Sequence, residues 1–309
     1  DDTIAGTASV PVTRLDMDWF APRPVAPGKR LPFSGFRSPE DHWVVSQTSG
    51  TTGTPKLVGL SHRIMRDRTA ANAARLNWHG LRMASLFPVS APVWLTYAVT
   101  ALLHAGSVHA DPDVEGWFGA GVGFALASPA QAKASLAAMR PSGKVAAIQL
   151  SGGPASEPLV RSLLQGFGEV WVGYGSTEGF NALSNIKTIA ADGTIGVRTV
   201  LAPGSEVEVV DDAGHLLPPG EEGLVRVRNS YLAPGYINAP EATAASFRDG
   251  WFYPGDMGLW DRSGVFHVTG RSNDQFNLGG HKVNAQLLDF TLLGVAGVRD
   301  AITFMLPGA

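Results

Sequence analysis

From Val44 to about Val170, short apolar runs alternate with longer segments whose apolar residues recur at helical spacing. The runs at 82–87, 123–127, 146–150 and 169–173 are five or six residues long and read as strands buried on both faces. The segments 61–76, 92–104, 128–139 and 156–166 predict helices between them. Regular alternation of this kind predicts an α/β fold with a layered, largely parallel sheet covered by helices. The texture changes near Thr194. Strand-like runs at 206–210, 224–227 and 265–269 are separated by Asp211-Asp212-Ala213-Gly214 and Pro218-Pro219-Gly220 turns. They predict a small β-barrel or sandwich appended to the α/β core. A polar link at 270–274 precedes a stretch of mixed strand and helix character at 282–298. Three parts follow: 1–192, 193–269 and 270–309.

One loop interrupts the pattern with its own chemistry. Gln47-Thr48-Ser49-Gly50-Thr51-Thr52-Gly53-Thr54-Pro55-Lys56 lies between the apolar pair Val44-Val45 and Leu57-Val58-Gly59-Leu60, so it joins two short strands. Free backbone N–H groups, small hydroxyls and one cation suit a polyphosphate. The spacing is not that of a Walker A loop, where lysine directly follows the second glycine. Here Thr54 and Pro55 intervene, and proline keeps Thr54 extended, so no helix starts at Lys56.

Composition narrows the partners. A net charge of −3 with no basic run argues against nucleic acid. Zero cysteines excludes disulfides and thiolate metal sites and fits a reducing compartment, so a cytoplasmic location is expected. The most apolar window, 89–108, is broken by Ser90, Pro92, Thr96, Thr100 and His104, which predicts a buried helix and no membrane span. No signal-peptide pattern opens the sequence.

Three further constellations follow strand candidates. Gly173-Tyr174-Gly175-Ser176-Thr177-Glu178-Gly179 sits beyond a strand ending at Val172, where α/β sheets bind ligands. Tyr174 can stack on a base, Thr177 can donate to a phosphate and Glu178 can hold Mg²⁺. As a dinucleotide fingerprint the spacing Gly-x-Gly-x-x-x-Gly is off by one, which disfavours an NAD-linked enzyme. Ser151-Gly152-Gly153-Pro154 follows the strand at 146–150; small residues there let a flat ligand approach the backbone, although a plain tight turn has the same composition. Finally Asp256, between Gly255 and Gly258, can accept from ribose hydroxyls, and Arg271 can reach ribose or phosphate oxygens. The ordinary alternatives are a solvated turn for Asp256 and a surface ion pair for Arg271. His109, Asp111 and Asp113 lack a second ligand pair and read as a strand-end loop, not a metal site.

Taken in order, these motifs resemble the adenylate-forming superfamily of acyl- and aryl-CoA synthetases, peptide-synthetase adenylation domains and luciferases, with matching segments from about Val44 onward. The resemblance implies a two-step reaction. A carboxylic acid reacts with ATP to give an acyl-adenylate and pyrophosphate, and a thiol of coenzyme A or carrier-bound pantetheine then displaces AMP. It also implies roles. Thr48, Ser49, Gly50, Thr51, Thr52, Gly53 and Lys56 cradle the β- and γ-phosphates. Glu178 holds Mg²⁺ and Thr177 touches the α-phosphate. Tyr174 stacks on adenine, with Gly152, Gly153, Pro154 and Gly175 on the nucleotide side, while Asp256 and Arg271 hold the ribose. Lys282, in Gly280-His281-Lys282-Val283, joins the nucleotide-binding set, and Asn273 takes the hinge position. The expected partners are a small carboxylic acid and, as a further candidate, an acyl carrier protein.

The sequence departs from the family pattern in places. The family's catalytic lysine lies deep in a mobile C-terminal α+β domain, whereas the last lysine here is Lys282. About 45 residues precede the phosphate loop, where the family has a large subdomain. Both departures lead to the expectation of a chain truncated at both ends; the alternative is a catalytically impaired nucleotide-binding or scaffold protein. The acyl pocket carries small residues, Ser90 and Ala91, with Trp94 nearby; Ser151, Gly173 and Gly179 are further candidate walls. No acidic residue lies between Leu81 and Gly106 to pair an α-ammonium, so an amino-acid substrate is disfavoured.

Overall fold

Phe124-Ala125-Leu126-Ala127 shows how the core is built: Phe124 and Leu126 face one hydrophobic cluster, and Ala125 and Ala127 face another. Such alternation with apolar residues on both sides marks a central strand between two helical layers. The computed structural model describes residues 38–48, 56–109, 111, 113–278, 281–293, 295, 297–298 and 301–304.

In chain order the strands are β1 (His42–Gln47), β2 (Leu57–Ser61), β3 (Arg82–Ser85), β4 (Ser107–His109), β5 (Phe124–Ala127), β6 (Val145–Leu150), β7 (Phe167–Ser176), β8 (Phe180–Ile189) and β9 (Ile195–Leu201). They continue as β10 (Glu206–Val210), β11 (Gly223–Arg228), β12 (Tyr236–Ile237), β13 (Phe247–Arg248), β14 (Trp251–Phe252), β15 (Asp256–Trp260), β16 (Phe266–Arg271), β17 (Gln275–Leu278) and β18 (His281–Asn284). The helices are α1 (His62–Ala73), α2 (Pro92–Leu103), α3 (Val114–Gly119), α4 (Pro129–Ser135), α5 (Glu157–Leu163), α6 (Pro240–Ser246) and α7 (Ala285–Leu293).

Seven strands form the main sheet in the order β4-β3-β5-β6-β7-β8-β9. The first five are parallel; β8 and β9 add antiparallel pairs. Helices α1 and α2 cover one face through Ile64, Met65, Tyr97 and Ala98, and α3, α4 and α5 cover the other through Trp117, Ala132, Val160 and Leu163. Local signals agree with these packing demands. Ser61 caps α1 by accepting from Ile64 N–H, and Ser128 and Gln131 form a reciprocal capping box on α4. Because β3, β5, β6 and β7 run in parallel, their carboxyl ends share one edge. The turns beginning at Leu86, Ser128, Ser151 and Thr177 therefore gather there.

The α/β class expected from the sequence is present, with two corrections of detail. The texture change at Thr194 does not end the main sheet, because β9 pairs with β8 along its whole length. The β-rich part forms an open path, β13-β14-β11-β15-β16 with β10 on β11, and these pairings do not close a barrel. Its core, Val207, Val209, Val225, Val227 and Phe266, packs against Ala182 and Leu183 of β8, so the main sheet supplies the cover that closure would have supplied. A third sheet, β1-β2-β12, carries the polar loop between its first two strands. Among the described residues no helix is long and apolar enough to cross a membrane.

Candidate nucleotide site

The polar loop is anchored where the sequence placed it. β1 and β2 pair antiparallel, and Thr48 N–H donates to the Lys56 carbonyl at 2.9 Å, closing the base of the hairpin. Ser49, Gly50, Thr51, Thr52 and Gly53 lie outside the described residues. On the far side of β2, the two residues of β12 pair with it: Tyr236 opposite Val58 and Ile237 opposite Leu57. This register brings the Tyr236 ring beneath the Lys56 ammonium, 4.8 Å from Nζ to the ring centroid. The Tyr236 hydroxyl donates to Glu178 Oε1 at 2.8 Å. Lys56 and Glu178 thus meet on opposite parts of one aromatic side chain. Burial and the facing Glu178 carboxylate push the Tyr236 phenol well above its ordinary range.

Glu178 belongs to the β7–β8 turn, which differs from its expected form. The strand expected to stop before the glycine-rich segment continues through Gly173, Tyr174 and Gly175 to Ser176, so only Thr177, Glu178 and Gly179 make the turn. Gly175 has a packing reason: a Cβ there would collide with the Phe180 carbonyl, and the ladder shifts register at this point. A Cβ on Gly173 would lie 2.7 Å from Gln149 Nε2, which itself donates to Ser151 Oγ at 3.2 Å. Gly173 and Ser151 therefore share a buried neighbour. Gln149 also accepts from the Tyr97 hydroxyl at 2.8 Å.

The turn is held from below by Arg68, a residue the motif reading passed over. Its guanidinium is 1% exposed and donates to the carbonyls of Thr177 (3.1 Å), Glu178 (2.9 Å) and Tyr231 (3.2 Å). Burial pulls its pKa down to about 9, partly offset by the Glu178 charge, and it remains a cation at neutral pH. A signal for it was present. Arg68 follows Ile64 by four and Met65 by three, which puts a charge on the apolar face of α1.

The third group joins β7 to the second sheet. Asp256 and Arg271 are direct cross-strand partners, with Arg271 Nε 3.0 Å from Asp256 Oδ1. Tyr174 donates its hydroxyl to Asp256 Oδ2 at 2.8 Å and tilts its ring against Phe266, 5.2 Å between centroids. Burial raises the Asp256 carboxyl; Arg271 and Tyr174 pull it back, and the Glu178 carboxylate adds to the rise, so the two acids share one field. Arg271 also donates to the Pro254 carbonyl at 2.8 Å.

Gly152 has a φ of +89°, the left-handed region, and an added Cβ would meet nothing within 4 Å. The turn at Ser151–Pro154 is thus open at its glycine, as close approach by a flat ligand requires. Ser90, Ala91 and Trp94 sit at the start of α2, beyond the carboxyl end of β3; Ser90 is exposed, and Trp94 packs at the border of the cluster around Tyr97 and Phe124. Asn273 is exposed in the 3₁₀ turn Ser272–Asp274 after Arg271, and Lys282 pairs by its backbone with Asn277 in the β17–β18 hairpin. Asp111 and Asp113 are engaged locally, Asp111 accepting from Asp113 N–H and Asp113 capping α3.

The donor set can be tested for a cation. Among the described residues no three His, Cys, Asp or Glu converge. Glu178 presents a carboxylate across Tyr236 from Lys56, which suits Mg²⁺, an ion held by one or two carboxylates and completed by phosphate oxygens and water.

Comparison with known proteins agrees with this geometry. The family described as AMP-binding enzyme matches residues 11–237, beginning well before Val44, where the motif resemblance began. Oxalate–CoA ligase of Arabidopsis thaliana is 32% identical over 153 residues, 48% of this chain and 30% of that protein. Pyochelin synthase PchD of Pseudomonas aeruginosa is 29% identical over 304 residues, 87% of this chain and 52% of that protein. The ATP-bound structure of MatB from Rhodopseudomonas palustris superposes with a TM-score of 0.70 at 25% identity, covering 85% of this chain and 55% of that one. The matched parts thus span between 30% and 55% of these proteins.

Proposed function

We propose that this chain, which belongs to the AMP-binding enzyme family, carries the nucleotide core of a ligase that activates a carboxylic acid with ATP. A carboxylate oxygen bonds to the α-phosphorus, the bond from that phosphorus to the bridging oxygen breaks, and pyrophosphate leaves with the electron pair. A thiol of coenzyme A or carrier-bound pantetheine then adds to the acyl carbon and AMP departs, with the thiol proton passing to solvent. The relatives support the acid-thiol ligase class: one is named for a CoA ligase and another was solved with ATP bound.

The observation that carries the reading is the meeting of Lys56, Glu178 and Asp256 from three different sheets around Tyr236 and Tyr174. Phosphoryl transfer is mostly positioning and charge neutralisation, which this set supplies. Thr48, the loop 49–53 and Lys56 would receive the β- and γ-phosphates. Glu178 would hold Mg²⁺, which would offset phosphate charge, and Thr177 would meet the α-phosphate. Tyr174 would stack on adenine, with Gly152, Gly153, Pro154 and Gly175 beside it. Asp256 keeps acceptor capacity beyond its bonds to Arg271 and Tyr174, since each carboxylate oxygen has two lone-pair directions, and would take a ribose hydroxyl.

The finer parts of the reading rest on sequence. Residues 1–192, 193–269 and 270–309 are proposed as three functional parts, with Asn273 as hinge and Lys282 on the nucleotide side of a mobile last part. Ser90, Ala91, Trp94, Ser151, Gly173 and Gly179 are proposed to border the acyl group, an acid without an α-ammonium. A cytoplasmic location and an acyl carrier protein as a second acceptor are proposed likewise.

The test is pyrophosphate exchange into ATP across a panel of aryl and aliphatic acids, using the full native protein. The expected result is acid-dependent exchange that falls at least a hundredfold in Lys56→Ala and Glu178→Gln, as removal of charge-stabilising groups does. Exchange indifferent to every acid, with AMP still bound in calorimetry, would instead indicate a nucleotide-binding protein that does not adenylate.

A further inference from the structure

The side chain between Lys56 and Glu178 has no role in the motif reading. Tyr236 is fixed from several directions. Its strand pairs with Val58 and Leu57, its N–H donates to Thr243 Oγ1 at 2.9 Å, and its ring meets Phe247 edge-on, 5.7 Å between centroids at 72°. The preceding Gly235 has a φ of +147°, and a Cβ there would collide with Thr243 Cγ2, so glycine lets this strand lie against α6. The phenol therefore occupies one place relative to both charges.

A lysine and a carboxylate brought to hydrogen-bond range attract each other, so unseparated they would pair. Paired, each would present less charge to a ligand. An aromatic ring between them alters the outcome. Its face attracts the ammonium, and its hydroxyl takes one carboxylate oxygen. Bonding at Oε1 also fixes the rotation of the Glu178 carboxylate and hence the direction of Oε2.

We propose that Tyr236 is a positioning residue of the nucleotide site, keeping Lys56 directed at phosphate and Glu178 directed at Mg²⁺ by standing between them. This rests on the reading of the site as one for a magnesium nucleotide.

Two substitutions separate its parts. Tyr236→Phe keeps the ring under Lys56 and deletes the bond to Glu178; Tyr236→Leu deletes both. Binding by calorimetry is measured for AMP without metal, for ATP without metal, and for ATP across a Mg²⁺ titration. Tyr236→Phe is expected to weaken the apparent Mg²⁺ affinity about tenfold, the loss typical for removing an outer partner of a metal-holding carboxylate, while AMP affinity stays unchanged. Tyr236→Leu is expected to weaken metal-free ATP as well, relative to AMP, because Lys56 loses its support. Equal weakening of AMP and magnesium-bound ATP, or an unchanged Mg²⁺ requirement in Tyr236→Phe, would overturn the proposal while leaving the nucleotide reading in place. Absence of any nucleotide binding by the unsubstituted protein would remove that reading, and the proposal with it.

Discussion

Asp256 is subject to opposed influences whose balance sets a pH dependence. Burial and the Glu178 charge raise its carboxyl above the ordinary aspartate value, while Arg271 and the Tyr174 hydroxyl restrain the rise. The folded state therefore holds the proton to higher pH than the unfolded chain does. This group's contribution to stability is fully present below the unfolded pKa and is lost as pH rises through the folded one. Nucleotide binding runs the other way, because a ribose hydroxyl needs the ionised acceptor. AMP affinity is expected to fall as pH falls through the raised Asp256 pKa, at a higher pH than an exposed aspartate would give. Asp256→Asn should bind AMP about tenfold more weakly at neutral pH, as loss of a charged acceptor predicts, and should lack the acid limb. Calorimetry from about pH 4, the ordinary aspartate range, up to neutral checks both. An acid limb that persists in Asp256→Asn would assign the titration to another group. Asp256, Glu178, Lys56 and Tyr174 stand out as candidates in the sequence because each lies in a short motif whose chemistry is local. Tyr236 does not, since its place between Lys56 and Glu178 comes from pairing with a strand far away in sequence.

At the scale of elements, α1 shows how one helix carries both packing and site geometry. Its inner face holds Ile64, Met65 and Thr69, and in the same stripe Arg68 reaches three carbonyls that no helix or sheet ladder of its own would satisfy together. Arg68→Met keeps the volume and apolar stem but strands the carbonyls of Thr177 and Tyr231 without that donor. A loss of about 3 kcal/mol in urea unfolding is expected from these unsatisfied buried groups. Arg68→Lys should recover less than half of it, because a single ammonium cannot reproduce the planar fork. Wild-type stability in Arg68→Met would show that water replaces the guanidinium. The central strands were readable because burial on both faces makes them apolar runs ended by small residues; 206–210 coincides with β10. β8 escaped because Asn181, Ser184 and Asn185 interrupt the apolar run with polar groups that find partners only in the folded protein. Asn185, for example, donates to the Phe266 carbonyl at 2.8 Å. The barrel expectation failed for a related reason: turn-rich short strands announce a small β unit, but what covers its apolar side is a tertiary matter.

For the whole molecule, the decisive feature is that the site is divided among sheets. The β1-β2-β12 sheet contributes Lys56 and Tyr236, the seven-stranded sheet Glu178 and Tyr174, and the six-stranded sheet Asp256 and Arg271. A ligand that binds only when these stand together must stabilise their assembly. At a concentration 100-fold above its Kd, AMP should add about 2.7 kcal/mol to the free energy of unfolding. For a chain of this size that corresponds to a rise in Tm of roughly 5 °C. AMP lacks the phosphates that Lys56 is proposed to hold, so its shift should survive Lys56→Ala and fall to about half in Asp256→Asn, as tenfold weaker binding at the same concentration gives. ATP with Mg²⁺ should lose part of its shift in either variant, since it draws on both ends of the site. Differential scanning calorimetry on the three proteins with each nucleotide distinguishes these patterns. If AMP and magnesium-bound ATP lost the same shift in Lys56→Ala, the lysine would be acting on the fold instead of on the outer phosphates, and the division of labour between the sheets would have to be redrawn.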